Sequence, residues 1–162
     1  MTEPHPAAPA ASPFIHEPSA DHPGWFTWDV VDKTLFNAQT MAPMLVRQDT
    51  LPGGAQATRL RMMPERRHSN LGGAVHGAIT LALIDISLFT GLRLLLDADA
   101  AGSVTLDLST QFIGAGRIGE PLDAITEILR ETRRLVFVRG TIEQGDHLVA
   151  AFQGTVRKPS AR

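Results

Sequence analysis

The chain has 162 residues, of which 43% are hydrophobic and 20% are charged, as expected for a single globular domain with a sizeable core. Its formal net charge of -2 at pH 7 gives no basic field that would attract nucleic acid or an anionic membrane, so neither is expected as a partner. The absence of cysteine excludes disulfides, thiolate metal sites and cysteine nucleophiles.

The first 24 residues are predicted to form a flexible arm ahead of one domain at residues 25–162. Six of the eleven prolines lie in this arm, and such a density is typical of an extended or disordered segment. The opening MTEPHPAAPAASP has no Lys or Arg and no apolar run, so it does not resemble a secretory signal, and we expect a cytoplasmic protein. The aromatic residues Phe14, Trp25, Phe26 and Trp28 indicate that the later part of this segment docks on the domain.

The next elements are predicted to be a hairpin and a helix. Residues 44–48 and 55–63 have the composition of strands, and the turn sequence DTLPGG joins them. The polar loop PERRHSNLGG then leads to residues 78–96, which are almost entirely apolar and are predicted to form a helix buried on every side. Asp85 lies in the middle of this helix, although burying a carboxylate without a partner is costly.

A membrane-spanning helix is the alternative for residues 77–96, since about 20 apolar residues are enough to cross a bilayer. Asp85 would then lie near the bilayer centre, at a cost of roughly 2.5 to 3.5 kcal/mol, and Arg93 would add to this cost. No second hydrophobic segment accompanies the first. We therefore predict the core helix of a soluble domain.

The hydrophobic period changes to two in SVTLDLSTQFI, which predicts a strand with two distinct faces. One face is expected to hold Val104, Leu106, Leu108, Thr110 and Phe112, and the other Thr105, Asp107, Ser109 and Gln111. Residues 121–131, 134–143 and 147–157 are predicted to form three further strands. Four consecutive strands with short turns must be antiparallel, so we predict an α+β domain in which a curved antiparallel sheet wraps around the helix. One sheet cannot cover every side of such a helix, and a partner subunit is therefore expected.

Several other patterns have structural interpretations. The sequence GAGRIG at residues 114–119 matches the letters of a dinucleotide-binding fingerprint, but Pro121 and a strand-like segment follow it where a helix is required, so it is predicted to be a turn. The six histidines show no metal-binding spacing, and no metal is expected. Arg130, Arg133 and Arg134 are either a solvated strand end or a patch that contacts phosphate groups.

Asn70, His76, Gly77 and Asp85 form the combination that indicates chemistry. A loop, a helix cap and a buried acid explain each residue taken singly. Taken together, however, His76 and Gly77 open a helix whose free N–H groups and dipole favour developing negative charge. Asp85 lies about 12 Å further along the helix axis, which is too far for one site within one subunit. A symmetric dimer would bring the helix start of one chain to the aspartate of the other.

This combination resembles the PaaI-like acyl-CoA thioesterases of the hotdog fold. The match consists of N-x-x-G-x-x-H-G at residues 70–77, the acid at position 85, the strand SVTLDLSTQF and the turn Gly119-Glu120, and it extends over about residues 40–157. The resemblance implies a sheet wrapped around a long helix and two subunits that form one continuous sheet. It also implies that two such dimers commonly pair into a homotetramer.

The resemblance further implies hydrolysis of an acyl-CoA thioester to free acid and CoA. Asp85 would be the general base or nucleophile, Gly77 N–H of the neighbouring chain the oxyanion donor, and Asn70 the residue that orients water or the thioester. Thr105 occupies the place where relatives often carry a serine that holds the water. Thr132 replaces a glycine that is common in the RETRRLVF segment. No separate cofactor is expected, because coenzyme A is part of the substrate.

Two other functions stay open at this stage. A hotdog enoyl-CoA hydratase or dehydratase would remove a proton α to the thioester carbonyl, and His76 is the residue that favours this alternative. A non-catalytic acyl-CoA-binding protein would need a lost base or an attached DNA-binding module, and the sequence shows neither. The sequence does not define the acyl group.

Overall fold

A computed structural model describes residues 12–98, 100 and 102–159. Its strands and helix, in chain order, are β1 (Phe14–Ile15), β2 (Phe26–Thr27), β3 (Asp29–Val30), β4 (Met44–Thr50), β5 (Gln56–Met62), α1 (Gly77–Leu95), β6 (Val104–Phe112), β7 (Leu122–Glu131), β8 (Leu135–Gln144) and β9 (His147–Arg157). A π-helical turn spans Asn37–Met41 and a 3₁₀ turn spans Arg66–His68. The hairpin, the helix and the four later strands lie within two residues of their predicted bounds, whereas β1, β2 and β3 were not predicted.

Seven of the described strands form one antiparallel sheet in the order β2-β4-β5-β7-β8-β9-β6. Glycines in the connecting turns allow the chain to reverse direction between paired strands. Gly53 and Gly54 both have positive φ between β4 and β5, and Gly145 has positive φ between β8 and β9, a conformation that side chains with a Cβ rarely adopt. The predicted α+β architecture, with a curved antiparallel sheet around one long helix, is confirmed.

The helix α1 packs against the inner face of this sheet. Leu83, Ile84, Leu88 and Leu92 of the helix are fully buried. They meet buried side chains from every long strand except β6, namely Val46, Leu60, Leu122, Ala124, Val136, Val138, Ile142, Ala150 and Val156. Each buried Val, Leu or Ile side chain stabilises the fold by roughly 1.5 to 3 kcal/mol, so this layer is the main core of the domain.

The prediction that the helix is buried on every side is wrong for the single chain. Ala78 and Leu81 are exposed, and Asp85 is only partly buried. These positions are three or four residues apart, so they form one stripe along the helix, which the sheet leaves uncovered because it wraps around the opposite side. The helix has the length and the mean hydropathy, 1.8, of a membrane span, but its packing inside the sheet is that of a core helix.

Residues 12–41 run along the β4 edge of the sheet. β2 pairs with β4, and β1 pairs with β3 beside it. The ring of Trp25 contacts two guanidinium groups, with its centroid 4.6 Å from that of Arg47 and 4.5 Å from that of Arg61, and the ring of Trp28 stacks on Phe14 at 5.8 Å. The predicted docking of these aromatic side chains is confirmed. Residues 1–11 of the predicted arm lie outside the described residues.

Candidate active site

Asp85 and Thr105 form the centre of the candidate site. The Thr105 hydroxyl donates a hydrogen bond of 2.7 Å to Asp85 Oδ1. Hydrogen bonds to an ionised acceptor are the stronger kind, so this contact fixes the carboxylate. Asp85 Oδ2 has no hydrogen-bond partner among the described residues, and the open stripe of the helix leaves it accessible. One carboxylate oxygen is therefore held while the other is free to bind water or substrate.

A β-bulge in β6 directs Thr105 towards the helix. The pairing of β6 with β9 shifts between Thr105 and Asp107, so Leu106 is the extra residue. Thr105 lies opposite Val156, a core residue, and Leu108 lies opposite Gly154, which packs against the helix. The predicted alternation, with Thr105 on the face opposite to Leu108, is therefore wrong at this point. Without the bulge, the hydroxyl would face away from Asp85.

The start of α1 presents one free amide. Ile79 N–H and Thr80 N–H both bond His76 O, at 2.9 and 3.2 Å, and Ala78 N–H bonds His76 Nδ1 at 3.0 Å. Gly77 N–H has no acceptor within the part of the chain that the structure describes. The ring of Phe112 lies against Gly77, 3.4 Å from the point where a Cβ would be. The positive end of the helix dipole therefore exposes the Gly77 amide to a ligand.

His76 and Asn70 both shape the approach to this amide. The exposed His76 caps the helix with Nδ1, which accepts the hydrogen bond from Ala78 N–H. Asn70 Oδ1 accepts from Gly72 N–H at 2.9 Å and from Ala74 N–H at 3.2 Å, which closes the loop before the helix. The amide nitrogen of Asn70 has no partner among the described residues and is free to donate.

Asp85 and Gly77 do not meet within one chain. They lie eight residues apart on the same helix, about 12 Å along its axis. Both nevertheless adjoin β6, with Asp85 beside Thr105 and Gly77 beside Phe112. β6 is the last strand of the sheet, and one of its edges has no partner strand in the described chain. The two halves of the predicted site thus lie at opposite ends of the same open edge.

The three predicted phosphate-contacting arginines are exposed. Arg130 is the penultimate residue of β7, and Arg133 and Arg134 lie in the turn to β8. Their side chains make no ion pair within the described residues. Leu135, the residue after this turn, pairs with Arg157, which also pairs with Val104 next to Thr105. The arginines therefore lie at the Thr105 end of the sheet.

Other candidate features of the sequence have no part in this site. The segment at residues 114–119 is a loop that does not lead into a helix, as predicted. Among the described residues, no group of three His, Asp or Glu side chains could hold a metal ion. A groove of about 1030 Å³ lies on the outer face of the sheet, with Arg59, Glu127 and Arg139 among its lining residues, whereas Asp85 faces the inner side.

Sequence reasoning missed two residues beside the site. Phe112 was assigned only to a strand face, but its ring packs on Gly77. His68 was considered only as a metal ligand, but it is buried and bonded at both ring nitrogens. Its position two residues before Asn70, in a loop otherwise rich in charge and glycine, is the signal that could have drawn attention to it.

An antiparallel sheet wrapped around one long helix is the hotdog architecture. In this molecule an acid and a hydroxyl are paired beside the open edge of that sheet. The thioesterase superfamily model matches residues 72–151. PA0474, a candidate esterase of Pseudomonas aeruginosa, is 27% identical over 119 residues, which are 74% of this chain and 85% of that protein.

Two further proteins agree with this match. Acyl-coenzyme A thioesterase 13 of Mus musculus is 25% identical over 107 residues, which are 66% of this chain and 75% of that protein. The structure of the E. coli PaaI protein from the phenylacetic acid degradation operon superposes with a TM-score of 0.58 at 15% identity, over 72% of this chain and 80% of that one. Over residues 72–151 the chain is similar to the thioesterase superfamily, and it shares its hotdog fold with PaaI.

Proposed function

We propose that the protein hydrolyses an acyl-CoA thioester to a free acid and CoA, at a site shared between two subunits. The observation that supports this most directly is the Thr105–Asp85 hydrogen bond beside an unpaired strand edge. A carboxylate that is held at one oxygen and free at the other, on an otherwise apolar helix, suits a general base or nucleophile better than a structural acid.

The geometry of β6 supports the sharing of the site. If the open edges of two β6 strands pair antiparallel about a two-fold axis, the Phe112 end of one strand lies against the Thr105 end of the other. Gly77 adjoins Phe112, and Asp85 adjoins Thr105. The partner's Gly77 N–H would then point into the space beside Asp85. This pairing would also cover the exposed side chains of Val104 and Leu106.

The roles of the residues follow from their contacts. Asp85 takes the proton of a water molecule that attacks the thioester carbonyl, or attacks the carbonyl itself, in which case breakage of the C–S bond leaves an acyl–aspartyl anhydride that water hydrolyses to the free acid. Thr105 holds the carboxylate in either route. The partner's Gly77 N–H donates to the carbonyl oxygen as it gains negative charge. The C–S bond then breaks, and the CoA thiolate takes up a proton. The free amide nitrogen of Asn70 orients water or the thioester, and His76 keeps the helix start capped.

The remaining parts of the proposal concern the substrate, the assembly and the setting. Arg130, Arg133 and Arg134 are exposed cations at the Thr105 end of the sheet, where they would contact the phosphates of CoA. No cofactor beyond the substrate is required. We further propose that two dimers pair into a homotetramer and that the protein acts in the cytoplasm.

A panel of acyl-CoAs, aliphatic and aromatic, tests the reaction through release of free thiol. We expect turnover of at least one member and a solution mass of a dimer or tetramer by light scattering. A protein that binds acyl-CoA without releasing thiol would instead be a binding module. A monomer mass of 17.5 kDa in an active preparation would exclude the shared site.

A further inference from the structure

We propose that His68 is a positioning residue that holds the oxyanion donor Gly77 in place, an inference that rests on the proposed function. His68 belongs to the 3₁₀ turn between β5 and α1, and only 2% of it is exposed. Its ring bonds neither Asp85 nor Thr105, and the reaction described above does not use it. A buried imidazole still has to satisfy two ring nitrogens, and the way it does so here links three segments.

The His68 ring bridges the N-terminal segment and the turn. Nδ1 accepts a hydrogen bond of 2.8 Å from Glu65 N–H. Because Nδ1 is an acceptor, the proton lies on Nε2, which donates to Thr40 O at 2.8 Å. Thr40 belongs to the π-helical turn, so the ring joins that turn to the residues just before the helix.

The His68 main chain extends this link to the helix start. His68 O accepts a hydrogen bond of 2.8 Å from His76 N–H, and Ser69 forms an isolated antiparallel bridge with Val75. Gly77 is the residue after His76 and carries the free amide. His68 therefore holds the backbone of His76 in place, and His76 in turn sets the direction of the Gly77 N–H that follows it in the chain.

Kinetics distinguish this role from a purely structural one. A small displacement of a group that acts on the reacting atoms lowers the rate by as much as about 10²-fold, even when the mutation is remote. The oxyanion donor acts in the transition state, whereas the CoA moiety binds elsewhere. Loss of the His68 link should therefore lower kcat and leave KM nearly unchanged. A general loss of folded protein would reduce the active fraction and would appear in thermal melting.

Two substitutions each remove one of the two hydrogen bonds that the His68 ring makes. His68→Asn places an amide oxygen as far from Cα as Nδ1, so it keeps the acceptor for Glu65 N–H and loses the donor to Thr40 O. His68→Gln places an amide nitrogen as far from Cα as Nε2, so it keeps the donor and loses the acceptor. His16→Asn and His16→Gln are the matched controls, because the His16 ring also bonds a backbone carbonyl, that of Thr27, at 3.1 Å. None of these side chains touches the reacting atoms.

The experiment measures kcat and KM, thermal melting, and hydrogen exchange of the peptide covering residues 74–80. We expect both His68 variants to lose about 10-fold to 100-fold in kcat with KM within about threefold, and to exchange faster in that peptide. The His16 variants should match the wild type in each of these. Unchanged kcat in both His68 variants, or equal losses in the His16 variants, would overturn the proposal. If the wild type itself releases no thiol, the proposed function fails, and hydrogen exchange alone decides whether His68 holds the helix start.

Discussion

One edge of the seven-stranded sheet is covered by the chain itself, and the other edge is open. At the β4 edge, residues 12–41 add the short strand β2 and pack Trp25 against the guanidinium groups of Arg47 and Arg61. At the other edge, β6 is nine residues long and has no partner in the described chain. Its side chains Val104, Leu106 and Phe112 are 42%, 52% and 55% exposed.

The covered β4 edge contributes to the stability of the fold, whereas the open β6 edge adjoins the residues of the candidate active site. A long, bare, apolar edge invites pairing with another chain, and proteins usually blunt such edges unless the pairing is used. The β4 edge is blunted by the chain itself and has only structural contacts. The β6 edge is left open, and Asp85, Thr105 and Gly77 all adjoin it. We therefore expect changes at β6 to abolish activity and changes at the β4 edge to alter stability alone.

The largest effect is expected from charging the open edge. Val104→Lys with Leu106→Lys should prevent pairing of two β6 strands, because charged side chains on an edge strand oppose its pairing and would here have to lie against the apolar Phe112 end of the other strand. The expected result is a folded monomer without measurable thioesterase activity, detected by light scattering and thiol release. The double variant Val31→Lys with Leu35→Lys is the control, since these side chains are 58% and 50% exposed but lie outside β6. An active lysine-edged monomer would contradict the shared site.

The next largest effect is expected from Asp85→Asn. Asparagine is nearly isosteric with aspartate and still accepts from Thr105, but it is neither a base nor a nucleophile. The variant should assemble and bind acyl-CoA while kcat falls by about 10²-fold or more. Its melting temperature should equal or exceed that of the wild type, because a partly buried charge has been removed. Retention of more than about a tenth of wild-type kcat would remove Asp85 from the mechanism.

A smaller effect is expected from Thr105, which can be dissected with two substitutions. Thr105→Val keeps the shape of the side chain but removes the donor to Asp85 Oδ1, so we expect kcat to fall by roughly 10-fold, about the value of one charge-assisted hydrogen bond. Thr105→Ser keeps the hydroxyl and should retain most of the activity. Equal activity of the two variants would show that the hydroxyl has no role.

Thr105 also shows where sequence reasoning fails. The period of two in β6 and the apolar run of α1 predicted both elements, because hydrophobic periodicity reports which side of an element is buried. The bulge at Leu106 breaks that period by one residue, and nothing in SVTLDLSTQF marks it. The local alternation therefore predicted the strand correctly and the direction of the Thr105 side chain incorrectly.

The same limit applies to the helix. Composition predicted that α1 is apolar all round, but it does not distinguish a side covered by the chain's own sheet from a side left open at Leu81 and Asp85. That distinction depends on how far the sheet curves, which is a long-range property. The buried role of His68 was missed for a related reason, since its partner Thr40 O lies 28 residues away in a segment without periodicity.

A weaker effect is expected from the arginines in the β7–β8 turn. Arg133→Ala with Arg134→Ala should raise KM severalfold with little change in kcat, and the effect should shrink at high ionic strength because exposed charges are screened. Lys33→Ala with Arg117→Ala changes the net charge equally and is the control, since these side chains pair with Asp29 and Glu120. A KM at low salt equal to that of the wild type would assign Arg133 and Arg134 to a solvated strand end.

The smallest effect is expected at the β4 edge, from an ion-pair network on the outer face. Arg59 bonds Asp49 at 2.7 Å and Asp123 at 3.0 Å. Burial would raise the pKa of Asp49, but its hydrogen bond to Arg59 and the charges of Arg59 and Arg47 lower that pKa below its usual value. A carboxyl with a lowered pKa in the folded state stabilises the fold above its unfolded pKa, about 3.9, and loses this contribution as the pH falls through the folded pKa.

Asp49→Asn should therefore lower the free energy of unfolding by about 1 kcal/mol or less at pH 7, the range of partly exposed ion pairs. The difference from the wild type should shrink as the pH falls below about 4, because the wild-type carboxyl becomes protonated and resembles the amide. Urea unfolding of both proteins between pH 7 and pH 3 measures this. Turnover at pH 7 should stay at the wild-type level, since the network lies on the face of the sheet opposite to Asp85. A loss of kcat in Asp49→Asn, with assembly intact, would show that the two edges are coupled and that their separation into stability and chemistry is wrong.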